Sequence, residues 1–409
     1  MRIILICEIG LGKTYVGSEK MMNLGGNVNL VICQKSKIDD WVQHFIDNYE
    51  VIVLNLTSKR SLECFLEWSS KWIEFDKPLI GIVNYQTAWR RKQLLQIPID
   101  TLMLDESSLI QNRKAKQSKF ILNLNPSNVI LLSGTPTAGK YENLWSQIHL
   151  LGWKISEDVY NRQYVNWVNK DFGGFVHKIV DKENPYKNVD RLKSKLREHG
   201  AVFMKTEECF DLPEQTFIKQ FVTTSKEYKK FMKDCIITVD GDELIGDTTL
   251  TKRLYARQLC GQYSKDKLEA FRELVESTQD RLIVFYNFNA ELDALKRIAA
   301  SLERPVSEVN GHCKDLTAYE QEDDSITFIQ YQAGAMGLNL QKANKIIYFT
   351  LTDKSELFEQ SKKRTHRIGQ EKSCFYYILM CKGSVEEVVL ETLEMRKDFT
   401  DELFERMEK

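Results

Sequence analysis

Gly10, Leu11, Gly12, Lys13 and Thr14 follow a short apolar run, Ile3-Ile4-Leu5-Ile6, and precede a helical segment closed by Gly25-Gly26. In a strand, glycine-rich turn and helix, backbone N–H groups can close around phosphate oxygens at a helix N-terminus that favours anionic charge. Lys13 would then reach the β- and γ-phosphates of a nucleotide, and the Thr14 hydroxyl would ligate Mg2+. Cys7 stands where such a loop usually begins with a smaller residue, and a glycine turn that binds nothing is the competing reading. Met1-Arg2 before apolar residues also suggests a secretory signal, but the run is too short and Glu8 interrupts it.

Phosphate chemistry needs a carboxylate to hold the metal and another to polarise water. TLMLDESS supplies Asp105 and Glu106 after an apolar strand. Carboxylates at the C-terminal end of a parallel strand face the ligand crevice. Asp105 would hold Mg2+ through water, and Glu106 would orient or deprotonate the attacking water. An exposed acidic turn is the bland alternative. Positive charge is available in EQSKKRTHRIGQ, which carries Gln360, Arg364, His366 and Arg367. Arginines three apart can address one anion together. Guanidinium groups acting this way are worth about 10³–10⁵ in rate. Reaching the phosphates would require two lobes to close, and a solvated basic face is the commoner fate of such a run.

The elements that must position these groups follow from the apolar pattern. Up to about residue 150, NVNLVICQ, VIVLNL, LIGIVNY, TLMLDE and NVILLSG read as strands. Between them, Ser36–Tyr49 places Ile38, Trp41, Val42, Phe45, Ile46 and Tyr49 on one helical face, with Ser36 as N-cap. Residues 151–275 are richer in aromatic and charged residues and read as mainly helical, with loops or a hairpin at NKDFGGFVHKIVDKENPYKN and VDGDELIGDTTL. From 276 to 409 the alternation returns in RLIVFYNF, VSEVNG, ITFIQY, KIIYFT and CFYYILM. It closes on a helix opened by a Ser384–Glu387 capping box. The expected fold class is therefore α/β, two parallel-sheet lobes over 1–150 and 276–409 with a helical insertion over 151–275.

Composition narrows the partners. A net charge of -1 means that nucleic-acid contact must come from a local groove rather than from overall charge. Nine cysteines without a C-x-x-C pair argue for reduced thiols and against a zinc site. No apolar run approaches bilayer length, so no membrane partner is expected. Trp41, Trp145, Trp153 and Trp167 read as packed core rather than base-stacking groups. Lys35 and Ser36, after a strand and at a helix start, could offer a nucleic-acid phosphate an ammonium, a hydroxyl and N–H groups.

Taken in order, these strings resemble the Swi/Snf family of DNA translocases within the superfamily-two helicase-like ATPases. GLGKT is similar to motif I, LVICQKSKIDDW to motif Ia, LDESS to the DExx box and LLSGTPTAGKYENLWSQ to motif III. FMKTEECFDLPEQTF resembles the segment after the first lobe, LIVFYNFNAELD motif IV, QAGAMGLNL motif V and QSKKRTHRIGQ motif VI. The resemblance spans nearly the whole chain, and HRIGQ after Q-x-x-x-R is its most specific string.

The resemblance implies two RecA-like lobes that use ATP and Mg2+ to move along double-stranded DNA, largely without reading sequence. Asn310-Gly311 and Gln332-Ala333 match places where the family meets the DNA backbone. Ser133, Gly134, Thr135, Gly337 and Asn339 match segments that couple ATP to the DNA track. Ala335 and Gln332 replace a usual glycine and arginine of motif V, and Thr137-Ala138-Gly139 departs from motif III. The upstream segment that usually contacts adenine is expected to be missing, so coupling or nucleotide affinity is expected to differ. Branched DNA and DNA-bound proteins are equally compatible partners. A monomer in the cytoplasm of a bacterium or phage-infected cell is the expected setting, by association. The alternatives are a strand-separating DNA or RNA helicase, and a nucleic-acid-binding scaffold with a decayed ATP site.

Overall fold

The computed structural model describes residues 1–7, 11–71, 76–134, 136–137, 140–172, 175–181, 183–204, 211–334 and 338–404. The chain forms two compact units, Met1–Cys209 with Asp398–Lys409, and Phe210–Lys397.

The first unit runs β1 (Arg2–Cys7), α1 (Lys13–Asn23), β2 (Val28–Cys33), α2 (Ile38–Asn48), β3 (Ile52–Asn55), α3 (Lys59–Ser70), β4 (Leu79–Asn84), α4 (Tyr85–Ala88) and β5 (Thr101–Leu104). It continues through α5 (Lys116–Leu122), β6 (Asn128–Ser133), α6 (Trp145–Leu150), α7 (Glu157–Tyr164), β7 (Trp167–Phe172), β8 (Phe175–Val180), α8 (Val189–Glu198) and β9 (Ala201–Met204). Seven strands form one sheet in the order β3-β4-β2-β5-β6-β1-β9, and all its pairings are parallel.

The strands read as unbroken apolar runs because both faces are covered. Ile4, Ile6, Leu102, Leu104, Val129 and Leu131 enter one core, while Ile3, Leu5, Met103, Ile130 and Leu132 enter the other with Trp41 and Phe45 of α2. Gly17 lets α1 lie close to this second face, since a Cβ there would stand 2.9 Å from Leu132 Cδ1 and 3.1 Å from Met103 Sδ.

The second unit runs β10 (Gln215–Val222), α9 (Lys226–Asp234), β11 (Ile236–Val239), β12 (Asp242–Ile245), α10 (Thr249–Cys260), α11 (Lys265–Glu276), β13 (Leu282–Tyr286), α12 (Asn289–Ser301) and β14 (Val306–Val309). Then follow β15 (Lys314–Asp315), α13 (Thr317–Gln321), β16 (Ile326–Gln330), α14 (Tyr331–Gly334), β17 (Lys345–Tyr348), α15 (Ser355–Lys362), β18 (Cys374–Cys381) and α16 (Val385–Phe404). Its sheet has the order β10-β18-β17-β13-β16-β14-β15, parallel except for the short β15. Two apolar cores again cover it, one containing Ile283, Phe285 and Tyr348, the other Val284, Phe328 and Phe349.

Three expectations change. The segment 151–275 does not stand alone as a helical insertion: β9 extends the first sheet beside β1, and β10 extends the second beside β18. Backbone pairing supplied by the sheets, not a local helical period, decides those stretches. The two glycine- and aspartate-rich stretches do form hairpins, β7–β8 and β11–β12. Ser36 is not an N-cap: it lies in a 3-10 turn over Lys35–Lys37, and α2 begins at Ile38 with no side-chain cap. Asp39 and Asp40 in the first turn of α2 supply the charge that a helix N-terminus favours. The expected capping box of the last helix is displaced by one residue. Ser384 Oγ accepts from Glu386 N at 3.2 Å, and Glu387 Oε1 accepts from Gly383 N at 2.8 Å.

Gly200 sets the start of the β1–β9 pairing. Its carbonyl accepts from Ile4 N at 3.0 Å, its φ is +87°, and a Cβ would lie 2.3 Å from the Arg2 carbonyl oxygen. Gly200→Ala therefore meets both a left-handed backbone and fixed main-chain atoms. A loss of at least about 2 kcal/mol is expected in urea or thermal unfolding. An unchanged midpoint would contradict this account of the sheet edge.

Candidate nucleotide and nucleic-acid sites

β1, β6 and β5 are neighbours in the first sheet, so the segments leaving their C-terminal ends share one crevice edge. After β1, Gly10 lies outside the described residues, whereas Leu11 is buried and Gly12 takes φ +68° at the N-cap of α1. A Cβ on Gly12 would meet nothing within 4 Å, so its left-handed backbone rather than crowding calls for glycine. Gly12 O accepts from Val16 N at 3.1 Å, which starts the helix with Lys13 and Thr14, both half-buried, in its first turn.

At the end of β5, Asp105 N donates to Ile32 O at 2.9 Å, and Asp105 Oδ2 accepts from Trp41 Nε1 at 2.9 Å. Glu106 has φ 53° and ψ 61°, a left-handed conformation that is costly for a side-chain-bearing residue. The buried Tyr85 hydroxyl donates to Asp105 O at 2.8 Å and reaches Glu106 O at 3.4 Å. Burial, then the Asp105 and Glu106 carboxylates, push that hydroxyl's pKa well above its ordinary value, so it remains a neutral donor.

The third segment begins after β6. Ser133 is fully buried, and its hydroxyl has no partner among the described residues. Gly134 is buried beside it, and Thr135 lies outside the described residues. Ser107, which follows the two carboxylates, donates to Gln147 Oε1 at 3.0 Å, and Gln147 Nε2 donates to Pro136 O. Buried hydrogen bonds thus join the acidic turn to the segment after β6. Tyr85, Trp41 and Gln147 were not singled out from sequence as site residues. The available signal was their place: a tyrosine closing a strand, and a tryptophan and glutamine inside strings already matched to motifs.

On the same sheet edge, Gln34, Lys35, Ser36, Asn84, Gln86 and Leu109 line an open cleft of about 650 Å3. Lys35 and Ser36 are exposed there. This places the two expected phosphate contacts together at the ends of β2 and β4.

The second unit gathers the other candidates. Arg364 is buried, and its carbonyl accepts from Leu340 N at 3.1 Å. Arg367 is half-buried and donates through NH1 to Asn339 Oδ1; burial lowers its pKa. Gln360 is half-buried, and its Oε1 has no partner among the described residues. His366 is held at both ring nitrogens, Nε2 to Pro213 O at 2.8 Å and Nδ1 to Gln215 Nε2 at 3.0 Å. The carbonyl can only accept, so Nε2 carries the proton and Nδ1 accepts from the amide. His366 is thereby a hydrogen-bonding strut. Gln370 Nε2 donates to Gln341 O and Ala343 O, each at 3.0 Å.

Gln332 is exposed and Ala333 buried on α14, while Gly337 lies outside the described residues. A cleft of about 180 Å3 beside Gln332 is also lined by Arg257, Asn287, Gln330 and Lys354. Arg257 lies over the Phe288 ring at 5.5 Å and donates to Leu351 O at 2.8 Å. Asn310 is largely committed to its own turn. Its Oδ1 accepts from His312 N and Cys313 N, each at 2.8 Å, leaving exposed Gly311 to offer backbone.

Among the described residues, the one metal-like group is Cys260, Cys381 and Glu386, all buried. Lys267 Nζ already sits 2.5 Å from Glu386 Oε1 and supplies the positive charge there.

Residues 2–270 match the SNF2-related domain, and residues 266–369 match the helicase conserved C-terminal domain. The chain is 23% identical to a putative ATP-dependent helicase/translocase, YwqA, of Bacillus subtilis, over 77% of this chain and 36% of that protein. It is 23% identical to the SWI/SNF-related matrix-associated actin-dependent regulator of chromatin subfamily A member 1 of Mus musculus, over 96% of this chain and 40% of that one. It thus spans about two fifths of the length of these curated relatives. Among solved structures it is similar to a Sulfolobus solfataricus SWI2/SNF2 ATPase core in complex with dsDNA. That match has 19% identity, a TM-score of 0.44, and covers 98% of this chain and 88% of that one. With the SNF2-related domain covering well over half its length and the helicase C-terminal domain following it, the chain belongs to the SNF2 family of helicase-like proteins.

Proposed function

We propose that this chain is an ATP-driven motor on duplex DNA, hydrolysing ATP with Mg2+ to translocate and to displace bound proteins. The observation that carries this reading is a single sheet edge. Three neighbouring strands, β1, β6 and β5, deliver Lys13–Thr14, Ser133 and Asp105–Glu106 to it.

The donor set suits a magnesium nucleotide. Gly12 leaves open space at a helix start, Ser133 has a buried hydroxyl with no partner among the described residues, and Asp105 is anchored at Oδ2 by Trp41. Lys13, Thr14 and Asp105 would hold the triphosphate and its Mg2+, which neutralises charge on the phosphate oxygens. Glu106 orients the attacking water and takes its proton. Arg364 and Arg367, with Gln360 just before them in sequence, are the candidate sources of positive charge for phosphoryl transfer. Little covalent chemistry is asked of the protein, so positioning and electrostatics carry the rate.

Lys35, Ser36, Gly311 and Gln332 are proposed to meet DNA phosphates, and Asn310 and Ala333 to shape the turns that present them. Such contacts read backbone rather than bases, which suits movement over any sequence. The names of the relatives, a helicase/translocase and a chromatin regulator, support the motor reading.

ATP turnover compared across duplex DNA, single-stranded DNA, RNA and no nucleic acid tests the reading; duplex DNA should stimulate most. Separation of a labelled duplex that carries no bound protein would instead favour a strand-separating helicase. Lys13→Ala should abolish turnover, and Glu106→Gln should bind ATP without splitting it. Normal turnover in either variant contradicts the assignment. Arg367→Ala should lower kcat by about 10³ while ATP affinity changes little; the reverse pattern contradicts its role.

Tyr85→Phe removes the hydroxyl that holds the strained acidic turn. Turnover should fall about tenfold, with thermal stability reduced by about 1 kcal/mol. Unaltered turnover would show that the turn holds itself.

A further inference from the structure

Asp105, the metal carboxylate of the proposed site, is gripped by a residue from a different element. Trp41 on α2 is 2% exposed and gives its indole N–H to Asp105 Oδ2 at 2.9 Å. The direction of that N–H is set by packing: the ring stacks on Phe45 at 5.7 Å and meets His44 edge-on at 5.8 Å. The next turn of α2 reaches the P-loop helix. His44 Nε2 lies 2.8 Å from Ser18 Oγ, and Ser18 Oγ donates back to Thr14 O at 2.9 Å. One helix thus touches both expected metal-holding elements, the carboxylate after β5 and the first turn of α1.

Core packing alone would be satisfied by any large ring at this position, whereas the hydrogen bond requires a ring that carries a donor. An indole N–H can only donate, so it takes a lone pair of Oδ2 and restrains rotation of the carboxylate about its last torsion. Hydrogen bonds from a partner of this kind commonly orient metal-holding groups and change metal affinity by 10–100-fold when removed.

We propose that Trp41 is a positioning residue for the metal: its indole N–H fixes Asp105 in the orientation that receives a divalent cation beside Thr14. The proposal rests on reading Lys13, Thr14 and Asp105 as a magnesium–nucleotide site.

Trp41→Phe keeps a ring against Phe45 and His44 but removes the N–H. Mn2+ serves as the probe, titrated by electron paramagnetic resonance in the presence of a non-hydrolysable ATP analogue. The variant should bind Mn2+ about tenfold more weakly. Affinity for the analogue without metal should stay within about twofold. In an Asp105→Ala background the same substitution should cost nothing further. Unchanged Mn2+ affinity, or an equal loss in both backgrounds, overturns the role of Trp41. Lys13→Ala is the control on the site itself. If it leaves analogue binding intact, the nucleotide reading fails and the proposal with it. If it abolishes binding while Trp41→Phe has no effect, only the tryptophan's role fails.

Should Trp41→Phe not fold, ¹⁵N-indole spectra of the native chain and of Asp105→Ala give the answer. One indole proton should shift upfield and lose exchange protection when the carboxylate is removed; no such change overturns the proposal.

Discussion

A glutamate held at φ 53° is the constraint around which the first unit is arranged. A left-handed backbone at a residue with a side chain costs about 1–3 kcal/mol and persists only when its surroundings over-determine it. Here they do. Tyr85 pins the carbonyls on either side of the Glu106 Cα, Trp41 holds the aspartate side chain, and the chain then turns into Ser107, fixed to Gln147. Two neighbouring acids are held in their neutral forms. Burial and then Asp105 push the Cys33 thiol's pKa upward, and burial and both carboxylates do the same to Tyr85.

The second unit is organised by hydrogen bonds that cross from one motif-bearing segment to another. Leu340 donates to the Arg364 carbonyl, Gln370 spans Gln341 and Ala343, and His366 reaches back to Pro213 and Gln215 beside the edge strand β10. The string HRIGQ is therefore divided in labour. Its histidine and glutamine tie the segment to its surroundings, while its arginine, Arg367, donates to Asn339. Gly369 takes φ +94°, which lets the chain turn between the two tasks. Lower in this unit, burial pulls against the Lys267 ammonium, yet the Glu386 carboxylate and neighbouring thiols hold its pKa above the ordinary value. Leaving either member of such a pair alone costs about 3–5 kcal/mol. The bond therefore locks α11 to the start of α16.

Much of this was legible in the residues. The buried strands β2, β4, β5, β6, β13, β16 and β17 were each announced by an apolar run, because a parallel strand covered on both faces leaves no room for polar alternation. The strands β9 and β10 were not read. β9 is four residues long and partly exposed, so it takes its identity from pairing with β1. β10 does alternate, but with Phe217 and Phe221 on the exposed face, against the usual apolar-inward sense of a strand. Of the candidate site, the phosphate loop and the acidic pair could be named from spacing. Trp41 looked like core, and it is core. Its second task, the bond to Asp105, has no local signature.

Read alone, the amino-acid sequence determined the order of most of the buried strands, a glycine-rich turn after β1, an acidic turn after β5, and two arginines three positions apart. Each depends on residue types within a few positions of one another. Tertiary structure alone decided the remainder. It brought β6 between β1 and β5, set Tyr85 and Trp41 on the acidic turn, and spent His366 and Gln370 on scaffolding. The reason is physical: hydrogen bonds between residues 20 to 153 positions apart form only once the sheets assemble, and no local periodicity encodes them.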